Sequence, residues 1–155
     1  MPEISHDETG TSYLSITVAA FIFDESGRLL LIRENYGQRR YGPPGGRMEA
    51  GESPLQAVIR EAREEICVEI QVEGLIGIYY FAWEPWLAFG FHCHVQSGQP
   101  AIPQSGEIAE VGWFRPDNLP SPVTNLLPRV LPDAVGGARG LVRDYLQAPA
   151  EPAAQ

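Results

Sequence analysis

The sequence contains no lysine and very little cysteine, and both observations argue against particular classes of protein. All of its 11 basic residues are arginine, against 20 acidic residues, which gives a formal net charge of −9. This balance speaks against a general nucleic-acid or anionic-membrane surface, although a local basic pocket stays compatible with it. Cys67 and Cys93 provide neither a disulfide framework nor a CxxC zinc pair, so we expect a reduced, cytoplasmic setting.

Long hydrophobic runs are missing as well. The first ten residues are polar and acidic, which predicts that no signal peptide is present. The most apolar stretch, Leu75 to Phe91, is interrupted by Glu84-Pro85, and each half is far shorter than the roughly 20 residues that a membrane-spanning helix needs. Two strands joined by a turn explain this stretch better, and we expect no membrane association.

What is present is the composition of one globular domain. A chain of 155 residues that is 44% hydrophobic and 20% charged predicts a single domain with its own core. The polar or Ala- and Pro-rich ends predict flexible tails over 1–12 and 148–155, with the domain over 13–147. Local patterns predict strands over 15–24, 28–34, 68–81, 86–95 and 110–114, a short helix within 122–135 and another helical turn within 138–147. Strands with helices on different faces predict an α/β sandwich around a mixed sheet.

The clearest helix begins after Ser53. This serine suits the N-cap, Pro54 suits the first helical position and Gln56 completes a capping box. An apolar stripe at helical spacing predicts the buried face, which comprises Leu55, Val58, Ile59, Ala62 and Ile66. We expect three glutamates to lie away from this stripe, at i, i+3 and i+4, where like charges repel by about 0.2–0.5 kcal/mol per pair: Glu61, Glu64 and Glu65.

The segment around this helix closely resembles a known motif. Gly46 is followed at fixed spacing by Glu52 and then by Arg60-Glu61-Ala62-Arg63-Glu64-Glu65-Ile66-Cys67-Val68. The pattern is similar to the Nudix box, Gly-x5-Glu-x7-Arg-Glu-U-x-Glu-Glu-x-Gly-U, where U is aliphatic. Cys67 departs from it in place of glycine, and Ala62 is small for an aliphatic position. The resemblance implies a Nudix hydrolase with an α/β/α sandwich around a mixed β-sheet.

The chemistry of these residue types agrees with the resemblance. Mg²⁺ prefers oxygen ligands and often bridges to substrate phosphates, so clustered carboxylates on a rigid helix suit it. A Gly-Gly turn lets main-chain atoms approach a metal or a phosphate without a Cβ in the way. Three glutamates alone would be read as a solvated helix face. Their register with Pro43-Pro44-Gly45-Gly46, Glu52 and Arg60 favours a metal site instead.

The resemblance also implies roles for individual residues. Glu61, Glu64 and Glu65 would hold the metal, Mg²⁺ with Mn²⁺ as a substitute, and the carbonyl group of Gly45 would complete the site. The implied reaction is the attack of water on one phosphorus of a pyrophosphate link. Metal ions lower the pKa of the water and offset charge on the bridging and leaving oxygens.

Two further roles concern residues around the metal ligands. Arg60 and Glu52 resemble the pair that orients the carboxylates, which tunes a metal site nearly as strongly as the ligands do. In this family the general base is either a box glutamate or a glutamate in a later loop. Glu107 is our first loop candidate, with Glu110 behind it, and for both a solvated loop or strand-edge charge is the alternative.

Candidates for substrate contacts lie on both sides of the box. Arg39 and Arg40 belong to the Gly-, Arg- and Pro-rich loop 35–46, and guanidinium groups suit phosphate geometry; the alternative is a solvated loop. Trp83 and Trp86 flank the predicted turn at 84–85. They could stack on a nucleobase or form a homodimer contact, and the sequence leaves both readings open.

Substrate class is the least determined property. Pro85 stands near the position where some family members that split ADP-ribose or dinucleoside polyphosphates carry proline or tyrosine, which favours ADP-ribose or nucleotide-sugar diphosphates. A nucleoside triphosphate is the main alternative, and the acidic surface argues against RNA decapping. A nucleotide sensor without activity is a third possibility, but such a domain is expected to lose box carboxylates, and here all four are retained: Glu52, Glu61, Glu64 and Glu65.

The Cys67 substitution is not expected to abolish activity. The position lies just past the helix end, where a left-handed backbone is common. A residue other than glycine costs on the order of 1 kcal/mol there, but no metal ligand is lost. His92 and His94 share one face of a strand with Cys93 on the other, so a zinc site there would lack further ligands, and we expect ordinary strand histidines.

Overall fold

The computed structural model describes residues 8–10, 13–84 and 86–150. Within these ranges eight strands and two helices follow one another: β1 (Ser15–Ile22), β2 (Leu29–Glu34), β3 (Tyr41–Gly42), β4 (Gly45–Arg47), α1 (Pro54–Ile66), β5 (Glu69–Phe81), β6 (Trp86–Ser97), β7 (Ile108–Phe114), α2 (Leu127–Val135) and β8 (Leu141–Tyr145). The predicted tails lie mostly outside the described residues, so the domain bounds 13–147 stay a prediction.

The strands form two sheets. A five-stranded sheet has the order β4-β1-β6-β5-β8, and a three-stranded sheet has the order β3-β2-β7. The larger sheet is mixed, because β1 pairs with β6 and β5 pairs with β8 in parallel, whereas β1–β4 and β5–β6 are antiparallel. The mixed sheet was predicted; the division of the strands between two sheets was not.

Alternating residues of β1 separate two hydrophobic clusters. Val18, Ala20 and Ile22 pack in the cluster that contains the buried face of α1. Ala19 and Phe21 pack in the cluster that contains the buried face of α2. Successive side chains of a strand point to opposite faces, so the two helices cover opposite sides of the sheet. The predicted α/β/α sandwich is confirmed.

Helix α1 begins as the sequence predicts. The Ser53 hydroxyl accepts a hydrogen bond from the Gln56 amide, the Gln56 side chain accepts one from the Ser53 amide, and Pro54 occupies the first turn. The buried residues are Ala57, Val58, Ala62 and Ile66. Leu55 is 51% exposed, so its predicted place in the buried face is wrong. Ala57 faces the sheet instead.

The C-terminal segment corrects another prediction. Residues 141–145 form β8, parallel to β5, and not a helical turn. A short strand gains its hydrogen bonds from the free edge of β5, and Tyr145 gains a stacked contact with Phe81 at 5.4 Å between ring centroids. Tertiary pairing therefore overrides a weak local preference.

Neither helix of the described chain is long and apolar enough to cross a membrane.

The β5–β6 hairpin places the two histidines differently. His92 is buried, with Nε2 3.3 Å from the carbonyl oxygen of Ala138. His94 is about half exposed and its Nδ1 lies 2.6 Å from Glu73. Each histidine has a protein partner, as expected for ordinary strand residues.

Candidate active site

Arg60 connects the carboxylates of the box. Its Nε and one terminal nitrogen donate to both oxygens of Glu52, at 3.0 and 2.7 Å. The other terminal nitrogen donates to Glu61 at 3.0 Å and to Glu64 at 3.1 Å. The guanidinium also donates to the carbonyl oxygen of Arg47, next to the Gly-Gly turn. One arginine thus fixes three carboxylates relative to the strand that precedes the helix.

The Gly-Gly turn forms β4 and brings its main chain against the helix. The Gly45 amide donates to Glu65 Oε1 at 2.6 Å. A Cβ on Gly46 would lie 2.5 Å from Glu61 Oε1, and a Cβ on Gly45 would fall on the carbonyl oxygen of Val18 in β1. Both positions therefore require glycine. Gly46 leaves room for the Glu61 carboxylate, and Gly45 leaves room for the main chain of β1.

The burial of two glutamates was not predicted from the sequence. We expected Glu61, Glu64 and Glu65 to lie away from the apolar stripe, but only Glu64 is well exposed, with 57% of its side chain accessible. Glu61 and Glu65 follow buried Ala57 at i+4 and i+8, so they share its face of the helix and point towards β4. The carboxylates are partly enclosed, which increases the electrostatic cost of their charge.

The pKa values reflect this enclosure. Burial, followed by the charges of Glu61, Glu107 and Glu64, raises the pKa of Glu65 to about 8, although the Gly45 amide opposes the shift. Burial also raises the pKa of Glu61, against the nearby Arg60 guanidinium. The site therefore has too little positive charge for its carboxylates.

The hydrogen bonds to Arg60 have the opposite effect at Glu52, where they lower the pKa to about 2. Glu52 is thus held as a carboxylate by Arg60, whereas Glu61 and Glu65 are not fully compensated. This difference agrees with an orienting role for Glu52 and a cation-holding role for the other two.

The donor set fits a divalent cation. Carboxylates with raised pKa values beside a main chain that lacks side-chain bulk offer the oxygen ligands that Mg²⁺ prefers. In the described residues, however, no three His, Cys, Asp or Glu side chains are already arranged as a metal cluster. The reason is visible in the contacts, because Glu61 and Glu64 bind Arg60 while Glu65 accepts from the Gly45 amide. A bound ion would require some of these oxygens to turn.

An open cleft of about 170 Å³ extends from this site. Its inner end is lined by Gly45, Gly46 and Glu65. Its outer end continues into a second depression, and the residues shared by both parts are Glu34, Tyr36, Arg40, Glu84, Trp86 and Asn125. Residues from β1, the 35–46 loop, α1, the β5–β6 turn and the segment before α2 thus meet in one cavity.

The structure separates the predicted substrate-contact residues into two groups. Arg40 and Trp86 line the cleft, and Arg40 is held by Glu34 at 3.3 Å. Arg39 and Trp83 do not line it: Arg39 donates to Asn35 at 3.3 Å, and Trp83 packs on Phe81 and faces the Arg129 guanidinium at 5.3 Å. Pro85, on which the substrate argument rested, lies outside the described residues.

The two candidates for a loop base also differ. Glu110 accepts a hydrogen bond from the Tyr41 hydroxyl at 2.7 Å, so it already has a structural partner. Glu107 is exposed, and its charge contributes to the raised pKa values of both Glu65 and Tyr36. The Glu107 carbonyl group accepts a hydrogen bond from the amide of Asn35, the residue before Tyr36, so the main chain of Glu107 lies beside the cleft.

Several cleft residues were not found from the sequence. Glu34, Tyr36, Glu84 and Asn125 line the cleft but belong to no motif. Tyr36 could have been selected, since it stands in the loop that had already been singled out for its arginines. Asn125 carries no local signal, and only the packing of α2 brings it to the cleft.

Cys67 ends the helix in the conformation that the family glycine would favour. Its φ and ψ are 62° and 30°, and its amide donates to the Arg63 carbonyl oxygen. The thiol side chain is exposed, whereas Cys93 is in the core. The left-handed backbone predicted for Cys67 is confirmed.

Comparisons with known proteins agree with the α/β/α sandwich and with the resemblance of the 46–68 segment to the Nudix box. The NUDIX domain profile matches residues 14–134, and the chain belongs to the Nudix hydrolase family. A MutT-like protein of Streptomyces ambofaciens is 32% identical over 131 residues, which are 84% of this chain and 83% of that protein. Nudix hydrolases generally use divalent metal ions.

Two further similarities concern proteins whose names specify a substrate. The NAD-capped RNA hydrolase NudC of Pseudomonas aeruginosa PAO1 is 41% identical over 80 residues, which are 52% of this chain but only 28% of that protein. The crystal structure of a UDP-X diphosphatase superposes with a TM-score of 0.69 at 26% identity, covering 85% of this chain and 68% of that chain.

Proposed function

We propose that the protein hydrolyses the pyrophosphate linkage of a nucleoside diphosphate joined to another moiety, with ADP-ribose and nucleotide sugars as the substrate type. The observation that carries this proposal is the two-part cleft. The inner end has carboxylates and the main chain of two glycines, which has no side chain in the way. These groups suit a divalent cation bound to a diphosphate. The outer end has aromatic rings and neutral or acidic polar groups, which suit rings and hydroxyl groups.

The charge of the outer end supports a neutral moiety there. Glu34 and Glu84 are acidic, and among the described residues that line the cleft Arg40 is the one cation. Arg40 is already engaged by Glu34 through three hydrogen bonds to its carboxylate. A further phosphate group would therefore meet more negative than positive charge, whereas sugar hydroxyls can donate to a carboxylate.

The residue roles follow the box. Glu61, Glu64, Glu65 and the Gly45 carbonyl group would hold Mg²⁺, with Mn²⁺ as a substitute. The ion would lower the pKa of the attacking water and offset charge on the oxygens of the scissile link. Glu107 would accept the proton from that water.

The surrounding residues orient the site and bind the substrate. Arg60 and Glu52 would hold the carboxylates in place, and Trp86 would stack on a ring of the substrate. Arg40 would contact the diphosphate or the adjoining ribose. The homodimer contact and the cytoplasmic setting also stay predictions.

Hydrolysis of nucleoside triphosphates is the second candidate function. The MutT-like relative, which is matched over most of both chains, has no substrate in its name and is compatible with this alternative. The similarity to the NAD-capped RNA hydrolase covers a minor part of that protein, and the NAD cap in its name is compatible with a dinucleotide diphosphate link.

A product assay separates these functions. The protein is incubated with Mg²⁺ and, in parallel, with ADP-ribose, UDP-glucose, NAD, diadenosine polyphosphates and nucleoside triphosphates. We expect a nucleoside monophosphate and a sugar phosphate from the first two. Turnover of triphosphates alone, with release of pyrophosphate, would favour the second candidate. Binding without turnover of any compound would favour a sensor.

Metal binding is tested without substrate. Because a ligand that binds only the folded state stabilises it, Mg²⁺ at 100 times its dissociation constant should add about 2.7 kcal/mol to the free energy of unfolding. Thermal melts with Mg²⁺, Mn²⁺ and EDTA measure this, and the Glu61→Gln, Glu65→Gln double variant is the control. An unchanged melting temperature together with no heat of binding would remove the metal from the proposal.

A further inference from the structure

Two loops meet beside the candidate site, and one residue joins them. The first loop follows β2 and carries Tyr36, which lines the cleft. The second loop precedes β7 and carries Glu107. Asn35 donates from its amide to the Glu107 carbonyl oxygen at 2.9 Å and from its side chain to the Gly106 carbonyl oxygen at 2.9 Å. Two consecutive carbonyl groups of the second loop are thus held by one residue of the first.

A β-bulge explains why these groups face each other. In the β2–β7 ladder Arg33 pairs with Glu110 but Glu34 pairs with Ile108, so Ala109 is the extra residue. Bulges bend a strand and redirect the residues that follow, and they are frequent next to active sites. The Asn35–Glu107 bond continues the ladder past this bulge. The two hydrogen bonds of Asn35 therefore determine how the main chain of Glu107 leaves the sheet.

The second loop also lies beside the cleft that holds Glu65. Asn35 directly precedes Tyr36, and Tyr36 lines the same cleft as Glu65. The hydrogen bond between Asn35 and Glu107 therefore places the main chain of Glu107 next to this cleft. In agreement with this position, the pKa of Tyr36 is raised by burial and by the carboxylates of Glu34, Glu65 and Glu107. Gly106 has a φ of +79°, a conformation that its glycine identity permits, and the Asn35 side chain holds the carbonyl group of this flexible residue.

We propose that Asn35 is a positioning residue that holds Glu107 at the catalytic end of the cleft and acts on turnover only through Glu107. The inference rests on the proposed function, because Glu107 must take part in hydrolysis. Asn35 itself touches neither substrate nor metal in this account. Its side-chain oxygen accepts from Arg39 at 3.3 Å, so the amide group has both of its ends engaged.

The Asn35→Asp variant tests the donor directly. Aspartate keeps the size of the side chain and an oxygen that can accept from Arg39, but an ionised carboxylate cannot donate to the Gly106 carbonyl group. With ADP-ribose as the probe we expect kcat to fall about tenfold while KM stays within about twofold, since small misplacements of a catalytic group lower the rate steeply. Asn118→Ala, at an exposed asparagine of another loop, is the control and should match the parent.

A double-mutant cycle tests whether the effect passes through Glu107. Glu107→Gln should lower kcat, and adding Asn35→Asp to it should cause no further loss. A second full loss in the double variant would show that Asn35 acts independently and would overturn the proposal. Parental turnover of Glu107→Gln would overturn it too, while leaving the family activity intact.

Hydrogen exchange provides a measurement that needs no substrate. We expect a peptide covering residues 104–109 to exchange faster in Asn35→Asp than in the parent and in Asn118→Ala. Unchanged exchange would mean that Asn35 does not hold this loop, and it would overturn the proposal. Failure of the parent to turn over ADP-ribose or any other diphosphate counts instead against the proposed function, so the two failures are distinguishable.

Discussion

The two ends of the cleft are built in different ways. The inner end comes from one continuous segment, in which the glycines of β4 and the carboxylates of α1 are related by fixed spacing. The outer end is assembled from separate segments, which contribute Tyr36, Glu84, Trp86 and Asn125. A local motif can be recognised in a sequence because the helix geometry determines its spacing. A cavity shared by distant segments has no such signature. The sequence therefore predicts the type of reaction more clearly than it predicts the substrate.

The largest effect is expected at the inner end. Glu65→Gln should lower kcat by at least 100-fold, because a neutral amide replaces an anionic ligand beside the Gly45 amide. The fold should survive, since Glu65 is partly buried with a raised pKa and glutamine removes the cost of its charge. Steady-state kinetics and melting in EDTA measure the two effects.

A matched glutamate provides the control for this change. Glu73→Gln alters an exposed residue of β5 that pairs with His94 and should leave kcat unchanged. Near-parental turnover of Glu65→Gln, and also of Glu64→Gln, would mean that the inner end is only an acidic surface.

Alanine substitutions at the two glycines of β4 should have different effects. A methyl group at Gly45 meets the main chain of β1, which cannot yield, so Gly45→Ala should unfold the protein or lower its melting temperature severely. A methyl group at Gly46 meets the end of the flexible Glu61 side chain, so Gly46→Ala should remain folded but lose activity. Circular dichroism and turnover measured together separate the outcomes, and equal behaviour of both variants would contradict this account.

The outer end should affect binding more than chemistry. Stacking of a base on an aromatic ring contributes about 1–3 kcal/mol, so Trp86→Ala should raise KM for ADP-ribose roughly tenfold with a smaller change in kcat. Trp83→Ala removes a ring that packs on Phe81 and faces Arg129, so it should lower the melting temperature instead. If Trp83→Ala raised KM more than Trp86→Ala did, Trp83 and not Trp86 would be the ring that contacts the substrate, which would contradict the structure.

The smallest effect is expected at Cys67, outside the cleft. Its left-handed backbone disfavours a side chain, and its exposed thiol has little packing to lose. Cys67→Gly relieves the strain but increases the freedom of the unfolded chain, so we expect a net stabilisation of roughly 0.5–1 kcal/mol. Denaturant unfolding and kcat are measured side by side. A lower stability would refute the strain argument, and a large fall in kcat would point to a role for the thiol.

Local physics determined much of this protein from its sequence. Ser53, Pro54 and Gln56 define the start of α1 because capping involves only neighbouring residues. The spacing of the box and the left-handed end at Cys67 are properties of a single helix. The pattern of strands with helices on different faces predicted an α/β sandwich, and the resemblance to the Nudix box implied its α/β/α form.

Tertiary structure decided what depends on distant segments. The sequence placed Glu61 and Glu65 away from the apolar stripe but did not predict their surroundings, and packing against β4 encloses them and raises their pKa values. It suggested a helical turn within 138–147, whereas the open edge of β5 made residues 141–145 a strand. It did not distinguish Trp83 from Trp86, because the surroundings of the two rings are supplied by residues far away along the chain. Burial and charge at the cleft are sums over such neighbours, and only the folded chain brings those neighbours together.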